Sequence, residues 1–141
     1  MKTGKELKEA LLKTIPVAAG YLVMGFGFGV LLTARGYPFF WAPVMGLIVY
    51  AGSMQFVLID LLAGGAGIIT AAVMTFLINA RHLFYGLSML DEYRRVRRGR
   101  NYLIFSLTDE TFSIVASGLP KLDFDAGRYY LGVSALDQGY W

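Results

Sequence analysis

Residues 15–33 form an apolar run without a single charge, within the roughly 17 to 25 residues that a helix uses to cross about 30 Å of hydrocarbon. ARGYP at 34–38 interrupts it, and Arg35, Tyr37, Pro38 and the ring cluster Phe39, Phe40 and Trp41 suit a turn at headgroup depth with an aromatic belt. A second apolar run covers 39–62, with GSMQF in its middle and Asp60 near its end. Glycine-rich AGGAG marks the next turn, and a third run at 67–90 carries NARHLFYG in its last third. After the polar stretch DEYRRVRRGRN comes a weaker fourth run at 102–119, with TDET at its centre and Pro120 behind it. KLDFDAGR then leads to a further apolar stretch from Tyr129 that stops at Tyr140 and Trp141, early in what reads as another span. The pattern predicts an all-α, polytopic membrane protein of about four to five hydrophobic segments, one membrane domain over 1–141, truncated at its C-terminal end.

Charge sets a topological problem. The lead at 1–14, MKTGKELKEALLKT, is amphipathic and carries four lysines, while the loop at 91–101 holds five arginines. The apolar run behind the lead is too long for a signal-peptide core, so the lead is expected to stay uncleaved. Both basic stretches claim the cytoplasm under the positive-inside rule, yet three runs separate them. Either the tail lies on the outer side, or one segment is broken or re-entrant. AGSMQF and SLTDETF favour the second solution, because each places polar residues at mid-depth.

Composition narrows the chemistry. With 56% hydrophobic and 16% charged residues, a soluble core would leave too much apolar surface uncovered. Cysteine is absent and histidine occurs once, so no disulfide framework and no protein-only metal site is expected, nor any cofactor. The formal charge of +3 is modest and the arginines are concentrated at 91–101, which suits an anionic bilayer surface and not nucleic acid.

The polar residues inside the runs carry the functional argument. Arg81, Asp109 and Glu110 would together cost on the order of 8 to 10 kcal/mol at mid-membrane if left unpaired. Pairing of Arg81 with Asp109 or Glu110 is the economical solution, since a guanidinium meets a carboxylate through two parallel bonds. Thr75, Asn79, His82 and Gly86 recur at helical spacing, as do Ser106, Glu110, Ser113 and Ser117, and two such stripes must face each other or water. Local roles compete at each position. Arg81 can snorkel to the interface, His82 can be a hydrogen-bonded structural residue, and Thr108 can cap a helix whose first turn holds Asp109 and Glu110. Ser53 and Gln55 can bond a neighbouring helix, whereas their flank Ala51-Gly52 suits backbone approaching a ligand. Gly25 and Gly29 in GFGFG form a small-xxx-small pair suited to helix packing, with no strand before them to make a dinucleotide site.

IPVAAGYLVMGFGFGVL, AGSMQF, NARHLFYG and LTDETF, in this order, resemble the signature blocks of the AzlC family, the large subunits of bacterial branched-chain amino-acid exporters. The resemblance covers essentially the whole chain. It implies a permease of the bacterial cytoplasmic (inner) membrane that expels valine, leucine, isoleucine or analogues, with a small membrane partner of the AzlD type. By position, the family's polar motifs fall on Gly52, Ser53 and Gln55, on Asn79, Arg81 and His82, and on Thr108, Asp109 and Glu110. Members continue with further hydrophobic segments, and Met54 stands where they commonly have a small residue.

A zwitterionic amino acid needs a cation for its carboxylate, which Arg81 or a helix N-terminus can supply, and an acceptor for its ammonium, which Asp109 or Glu110 can supply. Met54, Phe56, Phe84 and Phe112 are candidates to receive a branched side chain. His82 and Glu110 are the candidates for proton coupling. The alternative is a structural or channel-like subunit whose polar stripes bind partner helices. An enzyme is not expected, because no nucleophile with base and orienter can be assembled from these residues.

Overall fold

The computed structural model describes residues 3–120 and 124–141. Met1 and Lys2 of the lead, and Lys121, Leu122 and Asp123 of the polar connection, lie outside the described residues. Nine helices and no strand occur among those described. The longest, α1 (Thr3–Ala34), absorbs the amphipathic lead and runs on through Pro16 into the first apolar run. Proline is tolerated there because a membrane helix can satisfy the freed carbonyl locally. Alone among the helices, α1 is long and apolar enough to cross a bilayer.

The second apolar run does not form one span. It divides into α2 (Trp41–Ile48) and α3 (Gly52–Ala63) around Tyr50, which takes a positive φ of 42°. Ala42 and Met45 of α2 pack beside Phe56 and Ile59 of α3 against the same Phe28–Leu32 patch of α1. In a straight helix Ala42 and Ile59 would stand about 25 Å apart, so the chain turns back along α1 between α2 and α3. The ion pair of Arg35 with Asp60, at 2.8 Å, ties the start of this hairpin to its return. The hairpin leaves and re-enters the face at which α1 ends.

From that face α4 (Ile68–Asn79) and α5 (Arg81–Ser88) follow as a pair bent by 42° at Ala80. Their combined length of about 31 Å matches the hydrocarbon thickness. Met89 then joins Ala10, Tyr93, Val96 and Tyr130 in the main buried cluster, at the face where α1 begins. There α6 (Leu90–Arg94) and the first turn of α7 (Arg100–Phe105) give the expected basic loop more helix than its polarity suggested.

The fourth run is also broken. It gives α7, a kink at 106–108, and α8 (Asp109–Val115), which ends before Gly118 and well before Pro120. Leu103 of α7 and Val115 of α8 belong to the same cluster as Ala10 and Val133, although a straight helix would part them by about 18 Å. Finally α9 (Ala126–Tyr140), capped by Asp125, climbs beside α1: Gly132 lies against Leu7 and Ala10, Tyr140 bonds Thr14 at 3.2 Å, and the Trp141 ring meets Tyr21.

The second and fourth runs each turn back on themselves, and besides α1 the bent α4–α5 pair has the length and apolarity of a span when its two helices are taken together. Lys5, Lys8 and Lys13 lie at the same end of the molecule as Arg94, Arg95, Arg97, Arg98 and Arg100, where Ala10 packs with Met89, Tyr93 and Val96.

Candidate functional site

Three interruptions meet at one depth: the α2–α3 tip at Tyr50, the α4–α5 bend at Ala80 and the α7–α8 tip at Leu107 and Thr108. Each has a local cause. Ala51-Gly52 offers the least side chain at the first tip, and the Gln55 Oε1 accepts the Ala51 N–H at 3.1 Å, satisfying backbone that the missing helix turn leaves free. At the third, Thr108 takes an extended backbone and its Oγ1 accepts the Thr111 N–H at 3.3 Å, an N-cap as the sequence allowed. Asp109 and Glu110 then sit in the first turn of α8, where negative charge complements the helix end.

The tips enclose a cavity of about 110 Å³ bordered by Ser53, Phe56, Arg81, Asp109 and Glu110, among others. Arg81 bridges the three interruptions. Its guanidinium pairs with Asp109 of the α7–α8 hairpin through Nη1, and its Nη2 donates to the Ser53 Oγ of the α2–α3 hairpin at 2.9 Å. Both members of the ion pair remain about a third exposed, at 38% and 33%, so they face open space and not a sealed core. The Glu110 carboxylate does not pair with Arg81. It accepts the Tyr21 hydroxyl at 2.7 Å, on the α1 side of the cavity.

Of the sequence-derived residues, Gly52, Ser53, Arg81, His82, Thr108, Asp109 and Glu110 border the cavity. Gln55 and Asn79 do not. Gln55 is fully buried behind the wall, where its Oε1 also accepts the Trp141 indole N–H at 2.9 Å. Asn79 lines a second hollow of about 210 Å³, and its backbone carbonyl lies 3.1 Å from His82 Nδ1. Tyr50, Ala51 and His82 border both hollows.

The helical stripes hold only in part. Thr75, Ser113 and Ser117 are exposed and bond backbone carbonyls three or four residues before them at 2.7 to 2.8 Å, and a Cβ at Gly86 would meet nothing within 4 Å. Ser106 is buried and bonds the Tyr102 carbonyl at 2.8 Å. The bends at Ala80 and 106–108 reset the phase on which the stripes depended. Among the apolar candidates Phe56 borders the cavity; Met54 is buried behind it, Phe84 is 71% exposed, and Phe112 stacks on Tyr85 with ring centres 4.4 Å apart. Gly25 meets the Trp141 backbone, while Gly29 has open space beside it, so the small-residue pair does not form a helix contact here.

Tyr21, Met24, Tyr50 and Trp141 border the cavity without having been singled out. Tyr21 and Met24 lie in the uninterrupted α1, where an isolated tyrosine gives no positional signal. Tyr50 was legible in principle, standing immediately before Ala51-Gly52.

The AzlC protein family model matches residues 16–141. The chain is 37% identical over 134 residues to the branched-chain amino acid transport protein AzlC of Bacillus subtilis, covering 95% of the chain and 53% of that protein. It is 39% identical over 137 residues to an uncharacterized membrane protein of Helicobacter pylori, covering 97% and 60%. It is 30% identical over 115 residues to the inner membrane protein YgaZ of Escherichia coli, covering 80% and 47%. No solved structure matches it. The chain thus spans about half the length of the curated relatives it matches. With a family model over most of its length and a cavity at the conjunction of its polar motifs, the chain belongs to the AzlC family, a family of membrane proteins.

Proposed function

We propose that the cavity is the substrate site of a permease that exports branched-chain amino acids across the bacterial inner membrane, together with a small AzlD-type membrane subunit. The observation that carries this reading is the convergence of Ser53, Arg81, Asp109 and Glu110 at the broken ends of three membrane-embedded elements. A guanidinium has five donors, and Asp109 and Ser53 occupy two of them here, leaving capacity for a substrate carboxylate. Asp109 or Glu110 accepts the ammonium group. Gly52 and Ser53 open the 12-residue helix α3, whose first N–H groups have no intrahelical partner and add to the carboxylate side.

The volume sets a limit on the occupant. At about 110 Å³ the cavity is far below the roughly 300 Å³ of a drug-sized pocket, so it holds a small charged head, with the branched side chain directed past Met24 and Phe56. Met54, buried behind the wall, does not narrow it directly. Gln55 and Asn79 act on the walls, not on the substrate. Titration of His82 or Glu110 couples substrate exit to proton entry. Placing the shared face of the lysine lead and arginine loop in the cytoplasm satisfies the positive-inside rule.

Counterflow of labelled leucine in proteoliposomes holding the full-length protein and its partner tests this reading. Wild-type exchange, with loss in Arg81→Ala and Glu110→Gln, is expected. Unchanged exchange in both variants would favour a structural or channel-like subunit.

A further inference from the structure

Asp137 was not among the residues that the sequence offered. It lies in α9, is fully buried, and its Oδ2 accepts the Thr111 hydroxyl at 2.8 Å while its Oδ1 has no partner. The titratable groups that face it are Glu110 from α8, Tyr50 from the α2–α3 tip and Tyr102 from α7. No lysine or arginine among the described residues forms a salt bridge with it. As an anion this acid is costly, because the Thr111 hydroxyl is its one hydrogen-bond donor and no opposite charge offsets its desolvation.

A continuous file of oxygen atoms connects it to the cavity. Thr111 Oγ1 lies 3.3 Å from Thr108 Oγ1, Thr108 Oγ1 lies 3.0 Å from the Tyr21 hydroxyl, and that hydroxyl lies 2.7 Å from Glu110 Oε2. With the Thr111–Asp137 bond this makes four oxygen–oxygen contacts, and each needs one hydrogen. Tyr21, Thr108 and Thr111 supply three, since a hydroxyl donates once. The fourth must come from a carboxyl group at one end.

We propose that Glu110 and Asp137 share a single proton along this file, with Asp137 as the buried proton site of the cavity. With the proton on Asp137, its O–H donates to Thr111, Thr111 to Thr108, Thr108 to Tyr21, and Tyr21 to the Glu110 carboxylate. When the shared proton moves to the cavity end, Asp137 passes its hydrogen to Thr111, Thr111 passes its own to Thr108, Thr108 to Tyr21 and Tyr21 to Glu110, so that Asp137 becomes the anion and Glu110 the acid. The file holds four hydrogens before and after this shift, and Glu110 is the end at which the shared one exchanges with the cavity. In both arrangements Thr108 Oγ1 still accepts the Thr111 N–H and keeps its capping role.

This deepens the proton-coupling part of the proposed function, but its first test does not depend on transport. Infrared spectra of the purified full-length protein in lipid at neutral pH report protonated carboxyl groups through their carbonyl stretch. One such band is expected, and it should vanish completely in Glu110→Gln and equally in Asp137→Asn. Each amide supplies the file's fourth hydrogen through its own N–H and leaves the opposite acid ionised. Absence of the band in wild type, its persistence, or loss of half of it in each variant would overturn the sharing.

In proteoliposomes, Asp137→Asn and Thr111→Val should retain leucine counterflow and lose accumulation driven by a pH gradient, with Thr111→Ser restoring it. Gradient-driven accumulation surviving in both variants would overturn the role in coupling. If wild type shows no leucine counterflow, the substrate reading fails while the infrared result still decides the proton.

Discussion

Arg81 joins the α2–α3 and α7–α8 sides of the cavity through Ser53 and Asp109, and its effect depends on shape as well as charge. Lysine could meet Asp109 or Ser53, but a point-charge ammonium cannot span both and also present a planar fork to a carboxylate. Leucine binding to the purified full-length protein should therefore weaken in Arg81→Ala by about 1.5 to 3 kcal/mol, roughly ten- to a hundredfold, the usual scale for a lost charge-assisted bond. Arg81→Lys should recover only part of this in equilibrium binding. Thr108→Ala removes an N-cap and should lower stability by about 1 kcal/mol in thermal unfolding. At this scale the sequence was informative where a residue was out of place. A guanidinium and two acids inside apolar runs could be paired on energetic grounds, and Arg81 does meet Asp109. Tyr21 and Asp137 escaped notice, the first because tyrosine is ordinary in a membrane helix. The second lies in an apolar stretch too short for its depth to be read.

The elements explain why pairing arguments succeeded where periodicity failed. A stripe at 3.6-residue spacing presupposes an unbroken helix, and α4–α5 and α7–α8 each change direction within the stripe. Polar residues at mid-depth did mark the breaks: AGSMQF lies at one tip and SLTDETF at the other. What hydropathy could not show is that the chain returns to its starting face, because a crossing run and a fold-back run look alike in composition. Single cysteines at Lys5, Ala66 and Arg98 test this directly, as the chain has none of its own. A membrane-impermeant thiol reagent should label positions 5 and 98 from one side and 66 from the other. Labelling of 5 and 66 from the same side would restore a complete crossing to the second run. Gly99 makes a separate point about how the near face is held. It has a φ of 80°, and a Cβ there would stand 2.8 Å from Leu131. Gly99→Ala should destabilise the protein by about 1 to 2 kcal/mol, read as a lower midpoint of thermal unfolding.

On the scale of the whole molecule, the fold keeps its basic stretches on one face and brings polar residues to the middle from both. The lysines of α1 and the arginines around α6 and α7 give the near face a positive charge suited to an anionic surface. The opposite face is tied by Arg35 and Asp60. Between them lies a hollow whose ion pair is open to water or solute and whose walls are the ends of short helices. This arrangement gives a membrane protein irregular backbone only where it lines a cavity. The central claim is that this hollow is wet and receives a branched-chain amino acid. A single cysteine in place of Ser53 tests it most directly in the reconstituted full-length protein. A water-soluble thiol reagent should modify it, and leucine should slow that modification while glutamate does not. A cysteine at position 53 that never reacts, or reacts at the same rate with and without leucine, would contradict the account.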